Sequence, residues 1–110
     1  MRDDRFYLLH ISECIARVEQ YVAGGRDEFL QTRLIQDAVL RNLQVLAEST
    51  QRLSDSVKAQ HPGVDWRAIA GFRNVLVHDY MGVDEARVWQ IIVGDLPELK
   101  NAAQVALDET

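Results

Sequence analysis

The sequence predicts an all-α, up-and-down bundle of about five helices, and three features carry that expectation. Apolar residues recur at intervals of three and four, the period of a helix face, and almost nowhere at intervals of two. Acidic capping residues stand before the apolar stretches, and glycine or proline stands after them. The 110 residues hold no internal repeat, low-complexity segment or linker, so one domain spanning residues 1–110 is expected.

The first helix lies within "DDRFYLLHISECIARVEQYVAGG". Leu8, Ile11, Ile15, Val18 and Val22 share a face, Asp3 and Asp4 suit the positive end of the helix dipole, and Gly24 and Gly25 end it. A second helix is expected to start at Asp27 as N-cap and to run as far as Gln60, where His61, Pro62 and Gly63 stop it. Unbroken, it would be roughly 50 Å long. A domain of this size has a radius of gyration near ~13 Å. The helix must therefore bend, break near residues 49–54, or project onto another subunit. Its stripe of Ile35, Val39, Asn42, Leu46, Ser49 and Leu53 is apolar except at two positions, so Asn42 is expected to find a partner inside the bundle. Asp65 caps a third helix that Gly82 closes, and Asp84 caps a fourth that Gly94 closes. Asp95, Pro97 and Glu98 begin a fifth that reaches about Leu107.

Composition narrows the function classes. Hydrophobic residues make up 47% and charged residues 26%, as in ordinary globular domains. A lone Cys14 excludes an internal disulfide and a cysteine-based zinc site, and it reads as a small buried apolar residue. His10, His61 and His78 are too far apart in sequence to form a metal pair, so neither metal nor cofactor is expected. No apolar run is long enough to span a membrane, and the start "MRDDRFYLLH" lacks a basic leader, so a cytoplasmic protein is expected. The net charge of −5 argues against a general nucleic-acid binder, and no DNA partner is expected. Ten of the twelve basic residues are arginine, however, the side chain suited to bidentate phosphate contact, so a local basic cleft is compatible with an acidic chain.

The stretch "GFRNVLVHDYMG", residues 71–82, concentrates chemistry in an apolar setting. Arg73 and His78 stand five apart, with Asn74 beside the arginine and Tyr80 two past the histidine. On an ideal helix Arg73 and His78 differ by about 140° and do not share a face, whereas Asn74 and His78 do. Three routes could join the arginine to the histidine: distortion of the helix towards Gly82, the reach of the arginine's long stem, or a two-fold axis that sets Arg73 of one subunit against His78 of another. Together they suit RNA cleavage without a metal. Imidazole exchanges protons near neutral pH, guanidinium holds a phosphate and its developing charge, and the RNA supplies its own 2′-hydroxyl nucleophile. A blander reading stands beside this one: a histidine that caps a helix end, Arg73 paired with Asp79 or Glu85, and Tyr80 anchoring the helix through its ring.

"RNVLVHDY" resembles the R-x4-H-x-Y motif of HepT-like toxins, a branch of the HEPN (higher eukaryote and prokaryote nucleotide-binding) superfamily. "DWRAIAGFRNVLVHDYMGVDEARVWQIIVGDLPELK", "QDAVLRNLQVLAEST" and "RVEQYVAGG" extend the resemblance over nearly the whole chain. It implies an all-helical homodimer with the Arg–His motif in a cleft at the dimer interface, and a metal-independent ribonuclease toxin acting on RNA, tRNA in some members. It also implies a partner, a minimal nucleotidyltransferase antitoxin of the MNT or MntA type, which transfers AMP from ATP to the motif tyrosine in a type VII toxin–antitoxin pair. Carried over by position, Arg73 and His78 are catalytic, Asn74 fills the supporting polar position after the arginine, and Tyr80 is the site of AMPylation. The competing function is a silent helical subunit that docks a nucleotidyltransferase or nucleotide without cutting RNA. Among the other residues, Trp66 and Trp89 read as core or interface anchors, and His10 and His61 as solvent-facing or capping. Asn42 reads as a satisfied core amide or as a support for Arg73.

Overall fold

A computed structural model describes residues 3–109, and Met1 and Arg2 of the acidic start lie outside the described residues. Seven α-helices and one 3-10 turn appear in place of the five helices expected, and no strand occurs among the described residues. Helix α1 spans Asp4–Tyr21, α2 Arg26–Gln31, α3 Arg33–Gln51 and α4 Asp55–Gln60. Helix α5 spans Trp66–His78, the 3-10 turn Tyr80–Gly82, α6 Glu85–Gly94 and α7 Leu96–Glu109. α1 and α3 form the central pair; α7 packs on α1, α5 packs on α3, and α6 touches both α7 and α2.

The difference in helix number comes from the long second segment, which the structure cuts into α2, α3 and α4. A continuous helix would exceed the longest dimension of the molecule, 39 Å. The first cut falls at Thr32, whose backbone is extended (φ −117°, ψ 102°). It is stabilised by Gln36, which is buried and donates its side-chain amide to the carbonyls of Phe29 (2.9 Å) and Leu30 (3.1 Å). Those carbonyls have lost their helical partners, so one amide on α3 satisfies the C-terminus of α2. The second cut falls at residues 52–54, within the range the sequence marks. Ser54 caps α4 by accepting from Val57 N–H, and Asp4 at the start of α1 accepts from both the backbone and the hydroxyl of Ser54 at 2.8 Å.

Other capping expectations divide. Asp3, Asp65 and Asp84 cap α1, α5 and α6 with side-chain bonds to Phe6, Ala68 and Ala86 N–H. Asp27 does not cap: it lies in the first turn of α2, and the N-cap is Gly25 at φ 96°, a conformation that favours glycine. Asn42 donates to the carbonyl of Ala38 one turn back on its own helix (2.9 Å), not to another element, so it neither ties the bundle together nor reaches Arg73. The core is built from Leu8, Ile11, Ile15 and Val18 of α1, Val39, Leu43 and Leu46 of α3, and Leu99 and Ala103 of α7. Cys14 is buried among them, and burial pushes its thiol pKa up. Phe29 is buried against half-buried Trp89, with ring centroids 5.7 Å apart. Half-buried Trp66 donates its indole N–H to the carbonyls of Lys58 and His61. His61 ends α4, yet it is half-buried, and its Nε2 is enclosed without a hydrogen-bond partner. His10 is tied back to the carbonyl of Phe6 through Nδ1 (2.9 Å). No helix among the described residues is long and apolar enough to cross a membrane.

Candidate active site

Helix α5 carries the motif. Its core face is Ile69, Phe72 and Leu76, at the three-and-four spacing that seats one side of the helix on α3. Arg73 follows Ile69 by one turn and therefore emerges at the border of that face, with its side chain 27% exposed. Its Nε donates to Glu48 Oε1 of α3 at 2.8 Å, and Nη1 donates to Asn74 Oδ1 at 3.2 Å. Neither Asp79 nor Glu85, the partners the sequence suggests, pairs with it. A guanidinium offers five N–H bonds. Two are engaged here, so three remain to face an anion while the group stays anchored.

His78 is the last residue of α5 and is exposed, with no hydrogen bond or ion pair from its ring among the described residues. Helix α5 ends there rather than at Gly82. Asp79 takes an extended-side conformation (φ −144°, ψ 51°), and its N–H closes the helix on the Val75 carbonyl at 2.8 Å. The following 3-10 turn ends on Gly82, where a Cβ would lie 2.5 Å from the Asp79 carboxylate, so the turn folds over that side chain. Tyr80 opens the turn, 42% exposed, and its hydroxyl makes no hydrogen bond among the described residues. It borders a hollow of about 140 Å³ shared with Arg33, Asp37 and Leu40 of α3 and with Met81.

Within one chain the structure therefore brings Arg73 to Asn74 but not to His78. α5 remains α-helical through His78, and the arginine's stem turns to Glu48 instead of round the helix. Around the motif, Val75 and Val77, on either side of buried Leu76, are 42% exposed and Met81 is 90% exposed. Glu48 is the site residue that sequence reasoning misses. It lies twenty-five positions from Arg73, and only its place on α3, one position outside the apolar stripe, brings it there. No cluster of three or more His, Cys, Asp or Glu side chains among the described residues is arranged to hold a metal ion.

The bundle thus carries Arg73 and His78 on α5 and Tyr80 in the turn that follows it. The family described as Ribonuclease HepT-like matches residues 11–106, and the chain belongs to that family. Among its relatives, a "Probable ribonuclease HepT" of Thermococcus cleftensis is 33% identical over 100 residues, covering 90% of this chain and 91% of that one. A "Putative RNase" of Caldanaerobacter subterraneus subsp. tengcongensis is 30% identical over 110 residues, 99% of this chain and 98% of the relative. A Methanocaldococcus jannaschii protein named "Gamma-glutamylcyclotransferase and putative RNase" is 29% identical over 109 residues, and there the chain spans about half, 49%, of the relative's length. No solved structure matches the chain.

Proposed function

We propose that this protein is the toxin of a HepT/MntA-type pair: a metal-independent endoribonuclease, active as a homodimer and silenced by AMP transfer to Tyr80. The observation that carries the reading is the state of Arg73. Its guanidinium is held at the helix surface by Glu48 and Asn74 with three N–H groups left over, on the same exposed helix as an unpartnered His78. Family membership supplies the substrate class.

In the proposed reaction the ribose 2′-hydroxyl attacks the adjacent phosphorus while an imidazole takes its proton. The free N–H groups of Arg73 stabilise the charge that builds on the non-bridging oxygens. The P–O5′ bond breaks, the leaving oxygen takes a proton, and the products are a 2′,3′-cyclic phosphate and a 5′-hydroxyl. The separation of Arg73 from His78 within one chain, together with the exposed apolar side chains of Val75, Val77 and Met81 around the motif, supports a second copy that sets its own His78 beside this Arg73. Tyr80 suits the role of acceptor because its phenol is accessible and unbonded. The phenol oxygen attacks the α-phosphorus of ATP, pyrophosphate leaves, and the adenylate places bulk and negative charge where RNA phosphate must approach.

The net charge of −5 favours the second reading, a silent subunit that docks a nucleotidyltransferase. One experiment separates the two. Purified protein is incubated with total RNA in EDTA beside His78→Ala, and the termini of the fragments are analysed. Cleavage to cyclic phosphates by the parent and none by the variant is the expected result; intact RNA in both would overturn the ribonuclease reading.

A further inference from the structure

A second feature adjoins Arg73 and belongs to neither the motif nor Tyr80. Between α1 and α3 lies an open cleft of about 400 Å³. One wall includes Arg41, Gln44 and Glu48 of α3 and the C-cap Arg52, spaced three, four and four apart, so the first three stand on one stripe of the helix and Arg52 continues it at the end. The α1 wall presents Phe6 and Tyr7, packed edge to face with centroids 5.1 Å apart; Phe6 also packs on His10 (4.4 Å), so Tyr7 offers the more open ring. Glu48 is the single carboxylate that lines the cleft among the described residues, and it is already engaged by Arg73. Neither the Arg41 nor the Arg52 guanidinium has a hydrogen bond or ion pair within the described chain. In a protein with seventeen acidic and twelve basic residues, two unpaired arginines over an aromatic wall, with Arg73 paired to the Glu48 carboxylate that lies between them, form a local excess of positive charge.

We propose that the α1–α3 cleft is a binding subsite for single-stranded RNA, in which Arg41 and Arg52 hold phosphates flanking the one at Arg73 while an unpaired base lies against Phe6 and Tyr7. The inference rests on the ribonuclease reading and deepens it. Arg41 and Arg52 are eleven positions apart, or about 16 Å along the helix, with Glu48 and hence Arg73 between them. A strand laid along the stripe meets Arg41, Arg73 and Arg52 in succession. Guanidinium groups suit phosphate oxygens, and aromatic faces accept any base, so the subsite grips the backbone without dictating sequence. A paired duplex would hold its bases away from the aromatic wall, which is why the unpaired strand is the better fit.

The test measures binding of a short fluorescent single-stranded oligoribonucleotide across a salt series, in a His78→Ala background that prevents cleavage. Arg41→Gln with Arg52→Gln should weaken binding about tenfold or more and lower the salt slope by about 1.4, two phosphates at roughly 0.7 each. Arg17→Gln with Arg26→Gln removes the same charge elsewhere on the surface and should leave both quantities near the parent's. With His78 restored, the Arg41/Arg52 variant should cut long RNA with a raised KM and cut a dinucleoside monophosphate as the parent does, because that substrate has no flanking phosphate. A parent that cuts RNA alongside a cleft variant of unchanged affinity and slope would overturn the subsite alone. The same result accompanied by loss of self-association would assign the cleft to a protein interface instead, and likewise overturn it. A parent that neither binds nor cuts RNA would overturn the ribonuclease reading, and the subsite with it.

Discussion

Replacing Glu48 with alanine tests whether Arg73 must be held in place to act. The pair is short at 2.8 Å, but its side chains are 27% and 39% exposed, so solvent screens it. Ion pairs in such settings are worth about 0.2–1 kcal/mol to folding. At roughly 4–8 °C per kcal/mol for a domain of this size, Glu48→Ala should lower Tm by no more than about 8 °C. The catalytic effect has a different origin. An arginine side chain carries about 2 kcal/mol of rotamer entropy. Once released from α3, the Arg73 guanidinium keeps only the bond it donates to Asn74, and much of that freedom must be lost again each time it meets the transition state. A cost of about 1.4 kcal/mol corresponds to a tenfold fall in kcat. Initial rates on RNA and a thermal melt on the same sample measure both quantities. Glu48→Gln keeps an acceptor at the same place and should fall between parent and alanine variant. An alanine variant with undiminished kcat would show that Glu48 does not position Arg73. One with raised kcat would show that the carboxylate competes with RNA phosphate for the guanidinium.

Tyr80→Phe removes only a hydroxyl; on the proposed mechanism it still cuts RNA but resists silencing by the nucleotidyltransferase and ATP, and an active variant that nonetheless gains the mass of AMP would identify a different acceptor. Arg73→Lys keeps the charge and loses the planar fork that serves Glu48, Asn74 and phosphate together, so cleavage should drop sharply while CD spectra match the parent; equal rates would remove the guanidinium from the mechanism. Gln36→Ala removes the side-chain donor from the Leu30 carbonyl and leaves that of Phe29 with only the long bond from Thr32 N–H (3.5 Å), so it should destabilise the fold by about 1–3 kcal/mol in urea melts, against an unchanged midpoint if water replaces the amide without loss. Burial raises the Cys14 thiol pKa above its ordinary 9.0, so the native protein should react slowly with iodoacetamide at neutral pH. The folded state holds this proton more tightly than the unfolded chain, so the contribution is intact below 9.0 and stability falls as pH rises through the folded value. Alkylation in the native state as fast as in urea would contradict that placement.

Helical periodicity determined the α class by itself, because a face repeating at three and four buries well only as a helix. The same pattern marked Leu8, Ile11, Ile15 and Val18 as one buried stripe, and all four lie in the core. Caps at Asp65 and Asp84 were equally legible, since a cap is made by a side chain to N–H groups two or three residues away. The R-x4-H-x-Y motif is a local string, and family membership follows from it and its surroundings. The break at Thr32 could not be read from the sequence, because no glycine or proline marks it and the amide that supports it, Gln36, looks like any residue of a helix interior. Asp27 shows the opposite error, a good capping residue left inside α2 because Gly25 alone could take the positive φ that the turn requires. The partner of Arg73 was decided by tertiary structure. Asp79 and Glu85 are near in sequence, yet helix packing directs the arginine's stem across to α3, where Glu48 waits twenty-five residues away. A helix displays its own side chains in a fixed order along each face, so sequence determines what each face offers; which face meets which is set by the burial of the whole core.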